Sequence, residues 1–148
     1  MCFLSCGKVK QIDTSGMKEI MRNSKVKRVT EKQLLEAVSI AGESVREKLN
    51  GNYRVECQHV YEMEGHRVEL YATGLVSEEA GGDVKGQLLE AYKYGIENGQ
   101  HPGVNIQKLN DTLYAYSFPL EQQAYLKTIC GNDFVLVMIS RTVIVKQL

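Results

Sequence analysis

The chain has no tryptophan, only two prolines and three phenylalanines, and four cysteines in 148 residues. No apolar run approaches the roughly 20 residues a membrane-spanning helix requires. Charge of one sign is missing too: 18 Lys and Arg balance 18 Asp and Glu, so no global basic field would draw nucleic acid. No Cys-x-x-Cys occurs, which argues against a zinc knuckle and a thioredoxin-like redox site. No glycine-rich loop follows a strand-like segment, which argues against a nucleotide fold. What is present is 43% apolar residues at a mean hydropathy of −0.26, the composition of a globular chain. The length fits one domain with a core of its own.

The first 29 residues read as a tail or tether. In Met1-Cys2-Phe3-Leu4-Ser5-Cys6-Gly7, a cysteine after Leu-Ser and before Gly resembles the lipid-attachment cysteine of a bacterial lipoprotein signal. The apolar stretch before Cys6 is shorter than the roughly 7–15 residues of such a signal, so either the signal is truncated or the match is chance. From Lys8 to Lys32, eight Lys or Arg face three acidic residues, a local excess of five positive charges. Such a run can dock on anionic lipid or nucleic acid. No aromatic residues interleave to stack on bases, and a solvated tether is the plainer reading.

A single domain is expected over 30–148. Thr30 and Gln33 form a capping-box pattern, and Leu34, Val38, Ala41, Val45 and Leu49 then recur at helical spacing until Asn50-Gly51-Asn52. Tyr53, Val55, Cys57, His59, Tyr61 and Met63 share one parity, the mark of a strand with one buried face. With a turn at Glu64-Gly65-His66 and renewed alternation over 67–72, residues 53–73 read as a hairpin. A loop at 77–83 leads to Asp83, an N-cap for a helix over 84–98 with Leu88, Leu89, Tyr92 and Ile96 on its apolar face. Strands follow at 112–118, with Tyr114, Tyr116 and Phe118 on one side, and at 134–139, apolar throughout and so central. Ser140 is placed to cap a short last helix. Adjacent strands and hairpins imply antiparallel pairing, hence an α+β sheet flanked by helices.

Candidate chemistry is sparse. Cys57 and His59, two apart on one strand face, could ligate one metal or haem iron, or pair as thiolate and base. The blander reading is a buried cysteine beside a hydrogen-bonded core histidine. A disulfide between Cys57 and Cys130 is open if the protein is exported. No metal site is expected, since His66, in a turn, and His101, before a proline, read as exposed loop residues. Glu56, Glu62 and Glu69 fall on the polar parity and read as solvated. The tyrosine bias, eight against three phenylalanines, lets Tyr92, Tyr114 and Tyr116 line a cavity.

The run Gln87–Gly99, the segment Asn105–Leu109, the strand Leu113–Leu120 and the closing Val137–Ile144 together resemble the exported, haem-associated, PAS-like domain family often called Tll-like. The likeness spans about 30–148. It implies a PAS-like antiparallel sheet flanked by helices, bacterial export, and in many members a c-type haem on Cys-x-x-Cys-His. Here the matching place reads Thr128-Ile129-Cys130-Gly131-Asn132, one cysteine and no histidine, so covalent haem is not expected. The family's basic, proline-containing strand becomes Arg67-Val68-Glu69-Leu70-Tyr71-Ala72, without the proline.

The expected function is therefore a non-catalytic ligand-binding or sensory domain. Cys57, His59, Tyr92, Tyr114 and Tyr116 would line the pocket, with a small molecule and no nucleic acid as partner. Its expected place is the periplasm or the membrane, anchored through a lipid at Cys6, and otherwise the cytoplasm. Two alternatives stand beside it: a small thiol-dependent enzyme using Cys57 and His59, and a structural partner-binding module. Ligand identity and oligomeric state are not encoded in these patterns.

Overall fold

Phe134–Ser140 forms the middle strand of a five-stranded sheet, and six of its seven residues are buried. A strand covered on both faces needs no alternation, and Phe134-Val135-Leu136-Val137-Met138-Ile139 has none. The computed structural model describes residues 29–51, 53–76 and 82–148. The tail through residue 28, with Cys6, and most of the expected 77–83 loop lie outside the described residues.

The chain divides into two compact units, 1–33 and 34–148. Of the first unit, the described part is the entry to helix α1 (Glu31–Asn50). There the capping box forms as its residues imply: Gln33 N–H donates to Thr30 Oγ1 at 3.1 Å, and Thr30 N–H donates to Gln33 Oε1 at 3.0 Å.

In the second unit, the rest of α1 is followed by β1 (Val60–Met63), β2 (His66–Tyr71), a 3-10 turn at Thr73–Leu75, α2 (Val84–Glu97), β3 (Asn105–Asn110), β4 (Leu113–Pro119), α3 (Tyr125–Thr128), β5 (Phe134–Ser140) and α4 (Arg141–Gln147). The strand order is β1-β2-β5-β4-β3, and every neighbouring pair is antiparallel. The expected α+β class and antiparallel sheet are present.

Register assigns each residue to a face. Tyr114, Tyr116 and Phe118 stand opposite Ile139, Val137 and Val135, and Val68 and Leu70 join them from β2. Helix α1 covers this face with Leu34, Val38, Gly42, Val45 and Leu49. Its closest approach is at Gly42, where a methyl group would fall 2.1 Å from Tyr116 Cγ. The other face carries Ala115, Phe134, Leu136 and Met138, packed against Leu88, Leu89 and Tyr92 of α2. Asp83 caps α2 as its position suggests, accepting from Gly86 N–H at 2.6 Å. Burying several such side chains, each worth about 1.5–3 kcal/mol, drives the assembly.

Two expectations fail locally, and one strand is unannounced by the sequence. Residues 53–59 are not part of the sheet; the hairpin is β1 and β2 alone, joined by Glu64-Gly65. Strand β3 has no sequence signature, because as an exposed edge it needs no apolar face. Ser140 holds the N-cap position of α4 but makes no side-chain cap bond.

Candidate functional site

Cys57 and His59 do not share a buried strand face. Both are exposed, in the irregular segment that precedes β1. The alternation there is decoupled from burial because the segment lies outside the sheet, tied to it by side-chain bonds and by Leu70 N–H donating to the His59 carbonyl at 2.8 Å. Cys57 is disulfide-bonded to Cys130 across 73 residues, with Cα atoms 5.4 Å apart. Tyr61 accepts from Gln58 N–H at 2.9 Å and donates to the Glu56 carbonyl. His59 Nδ1–H donates to the Leu70 carbonyl at 2.7 Å, and its ring meets Tyr71 edge-on at 4.9 Å. With Cys57 and Cys130 joined, neither supplies a haem thioether or a nucleophilic thiolate in this state. Among the described residues, no three His, Cys, Asp or Glu side chains gather as a metal site.

The three tyrosines do not line one pocket. Tyr114 and Tyr116 are fully buried beneath α1, where the Tyr116 hydroxyl donates to Glu43 Oε1 at 2.8 Å. Burial, and then the Glu43 carboxylate, raise the Tyr116 pKa. Tyr92 lies on the opposite face, stacked on Phe134 at 5.0 Å with its hydroxyl donating to the Gly103 carbonyl at 2.6 Å. A shared parity puts Tyr114 and Tyr116 together; only the sheet's two-sided packing separates them from Tyr92.

Glu69, expected at the surface, is buried. It faces α2, and Lys85 Nζ (2.8 Å), Tyr71 Oη (2.6 Å) and Arg67 Nε (2.7 Å) all donate to it. Burial alone would raise its pKa, but the Lys85, Tyr71 and Arg67 bonds outweigh burial and hold the carboxyl at about 2. All three side chains converge on the one carboxylate, so this cluster ties α2 to the sheet.

His66 reverses its expectation most fully. As the first residue of β2, opposite Met63, it is 3% exposed. The two-residue turn brings this about: Glu64 (φ 55°) and Gly65 (φ 83°) both adopt the left-handed region, so the strand begins immediately at His66. His66 Nδ1 is sealed from solvent with no hydrogen-bond partner among the described residues. Such an orphan typically costs about 1–3 kcal/mol. Burial lowers the imidazole pKa, against an opposing pull from Glu64, so the ring is neutral near pH 7.

His66 lines an open groove of about 410 Å³ between α1, the β1–β2 turn and the C-terminal end of α4. Ala37, Ile40, Ala41 and Leu148 make its apolar wall; Ser44, Glu64 and Gln147 add polar groups. Ser44 Oγ donates to Glu64 Oε1 at 2.8 Å, and Lys48 Nζ pairs with Glu64 Oε2 at 2.9 Å. The Lys48 bond lowers the Glu64 pKa despite partial burial. The Glu64 carboxylate, held by Ser44 and Lys48, and an apolar wall thus border one ligand-sized recess that the buried His66 ring also lines. None of the five expected pocket residues belongs to it. The sequence signal that could have placed His66 on a strand is the Glu64-Gly65 pair, which closes the turn in two residues.

A second open groove, about 500 Å³, runs between the end of α2 and the β4–α3 loop, with both prolines, Pro102 and Pro119, in its walls. Its floor contains the Lys127–Asp133 ion pair, in which Asp133 also accepts from Thr73 N–H, so its charges are already satisfied. Comparison with protein-family models, curated proteins and solved structures finds no match to this chain.

Proposed function

We propose that this protein is a non-catalytic, PAS-like ligand-binding or sensory domain that works in an oxidising, exported setting and takes a small molecule in the α1/β1–β2/α4 groove. The observation that carries this reading is a ligand-sized recess of about 410 Å³ that joins an apolar wall of Ala37, Ile40, Ala41 and Leu148 to the polar groups of Ser44, Glu64 and His66. A recess of that size, mostly apolar with a few polar groups at its wall, is the usual form of a small-molecule site. The Cys57–Cys130 bridge supports the compartment, because disulfides persist outside reducing cytosol. The five-stranded antiparallel sheet and the segments resembling the Tll-like family support the PAS-like assignment.

The test is a thermal-shift screen of a chemically diverse small-molecule panel against the wild-type protein and His66→Ala. Stabilisation of the wild type by one or more compounds, lost in the variant, is the expected result. No stabilisation by any compound, or equal stabilisation of both proteins, overturns the reading. A visible spectrum of protein from its native host tests the haem version separately: a Soret band would make haem the ligand.

A further inference from the structure

The Cys57–Cys130 bridge stands where a reductant can reach it. Cys57 is exposed and Cys130 half-buried, and neither lies in a helix or a strand. Cys57 belongs to the irregular run before β1, and Cys130 to the turn that leads from α3 to β5. Their neighbours face solvent as well: Glu56 and Gln58 are exposed, and Ile129 is 64% exposed. Disulfides sheltered by a fold resist reduction, whereas exposed ones are the labile and regulatory ones.

Little else ties the segment that Cys57 anchors. The hydrogen bonds of Glu56 and Gln58 are local, both made with the Tyr61 hydroxyl a few residues on. Arg54 reaches across to the Tyr125 ring at 5.9 Å, a contact of the weak, exposed kind. At the end of the segment His59 Nδ1 and the Leu70 carbonyl meet at 2.7 Å, and Leu70 N–H donates to the His59 carbonyl at 2.8 Å. The His59 ring also covers an edge of Tyr71. These bonds stand at the open end of the β1–β2 hairpin, the first to fray once the chain ahead is loose. Strands β4 and β5, by contrast, are buried almost throughout and paired on both sides.

We propose that Cys57–Cys130 is a redox latch: a dithiol reductant opens it in the folded protein, residues 53–59 come away and Tyr71 is uncovered, while the sheet and its helices stay in place. A thiolate of the reductant attacks the Cys57 sulfur, the S–S bond breaks, and Cys130 leaves as a thiolate that takes a proton from water. The second thiol of the reductant, deprotonated, attacks the reductant's own sulfur in the mixed disulfide. Cys57 then leaves as a thiolate and is protonated in turn. Two electrons pass to the bridge, and the reductant ends as a disulfide. The latch is closed in the oxidising setting proposed above, and it does not depend on the groove holding a ligand.

Reduction of the oxidised full chain by dithiothreitol in native buffer, quenched by alkylation and read by mass, tests it. The rate should be proportional to dithiothreitol concentration and change less than about twofold in about 1 M urea, because attack does not wait for unfolding. A route through global unfolding would speed up about tenfold in the same urea. In the reduced protein, NMR should show the Gln58 and Leu70 amides exchanging at least about tenfold faster than in the oxidised protein, with β4 and β5 still protected. Reoxidation should restore the original pattern. The double variant Cys57→Ser with Cys130→Ser should show the open pattern with or without reductant. Three results overturn the latch: reduction that follows global unfolding, unchanged exchange at Gln58 and Leu70 after reduction, or protection lost across β4 and β5.

Discussion

Gly42 and Tyr116 set the distance between α1 and the sheet: a β-carbon on Gly42 would lie 2.1 Å from Tyr116 Cγ and 2.2 Å from Cδ2. That ring is fully buried and anchored through its hydroxyl to Glu43, so it has no room to retreat. Gly42→Ala should therefore destabilise the protein by about 1–3 kcal/mol, although alanine gains about 1 kcal/mol in helix propensity. Urea denaturation reads this directly, and the double variant with Tyr116→Leu should recover part of the loss. A neutral or stabilising Gly42→Ala would mean that α1 does not seat on Tyr116.

The Cys57–Cys130 bridge closes a 73-residue span and pins the irregular 53–59 segment beside the loop after α3. Reduction, or Cys57→Ser with Cys130→Ser, should cost about 2–5 kcal/mol. The same change should bring forward proteolysis near residues 53–59, where few ladder bonds remain to hold the chain. Unchanged stability under reducing agent would contradict a bonded pair.

Glu69 supplies an acid-side pH dependence. Its folded pKa, about 2, lies below the ordinary value of 4.5, so its contribution is complete above about pH 4.5 and disappears as pH falls towards 2. Glu69→Gln should lose about 1–3 kcal/mol at neutral pH and show a flatter stability profile between pH 5 and about 2. Denaturation midpoints across that range distinguish this from a general loss of packing.

His66 acts in a different window. Burial lowers its pKa below 6.5, with Glu64 pulling the other way, so the folded state binds fewer protons than the unfolded chain. Stability from this residue is full above about pH 6.5 and decreases as pH falls below that value. His66→Phe should remove this part of the slope. A matching slope in the variant would place the effect elsewhere.

Helical caps and periodicity were readable because they are local. Thr30 and Gln33 bond as their spacing implies, Asp83 caps α2, and β5 is central because it is apolar on both sides. The misreadings have a common source. From 53 to 59 the alternation is genuine, yet a disulfide and side-chain bonds take the place of a ladder, so parity does not report burial. Glu69 sits on the polar parity of β2, but α2 covers that face too and brings Lys85 to it. His66 looked like part of a turn until Glu64 and Gly65 closed the turn in two residues.

Local patterning alone determined α1, α2, α4, the central strand and the antiparallel class, since those follow from spacing and capping within a few residues, whereas the one-turn α3 carried no such signal. Tertiary structure decided which tyrosines meet, which carboxylate is buried, that Cys57 finds Cys130, and that His66 faces a groove. Such pairings depend on strand order and on which helix covers which face, relationships between residues far apart in the chain that no short window contains.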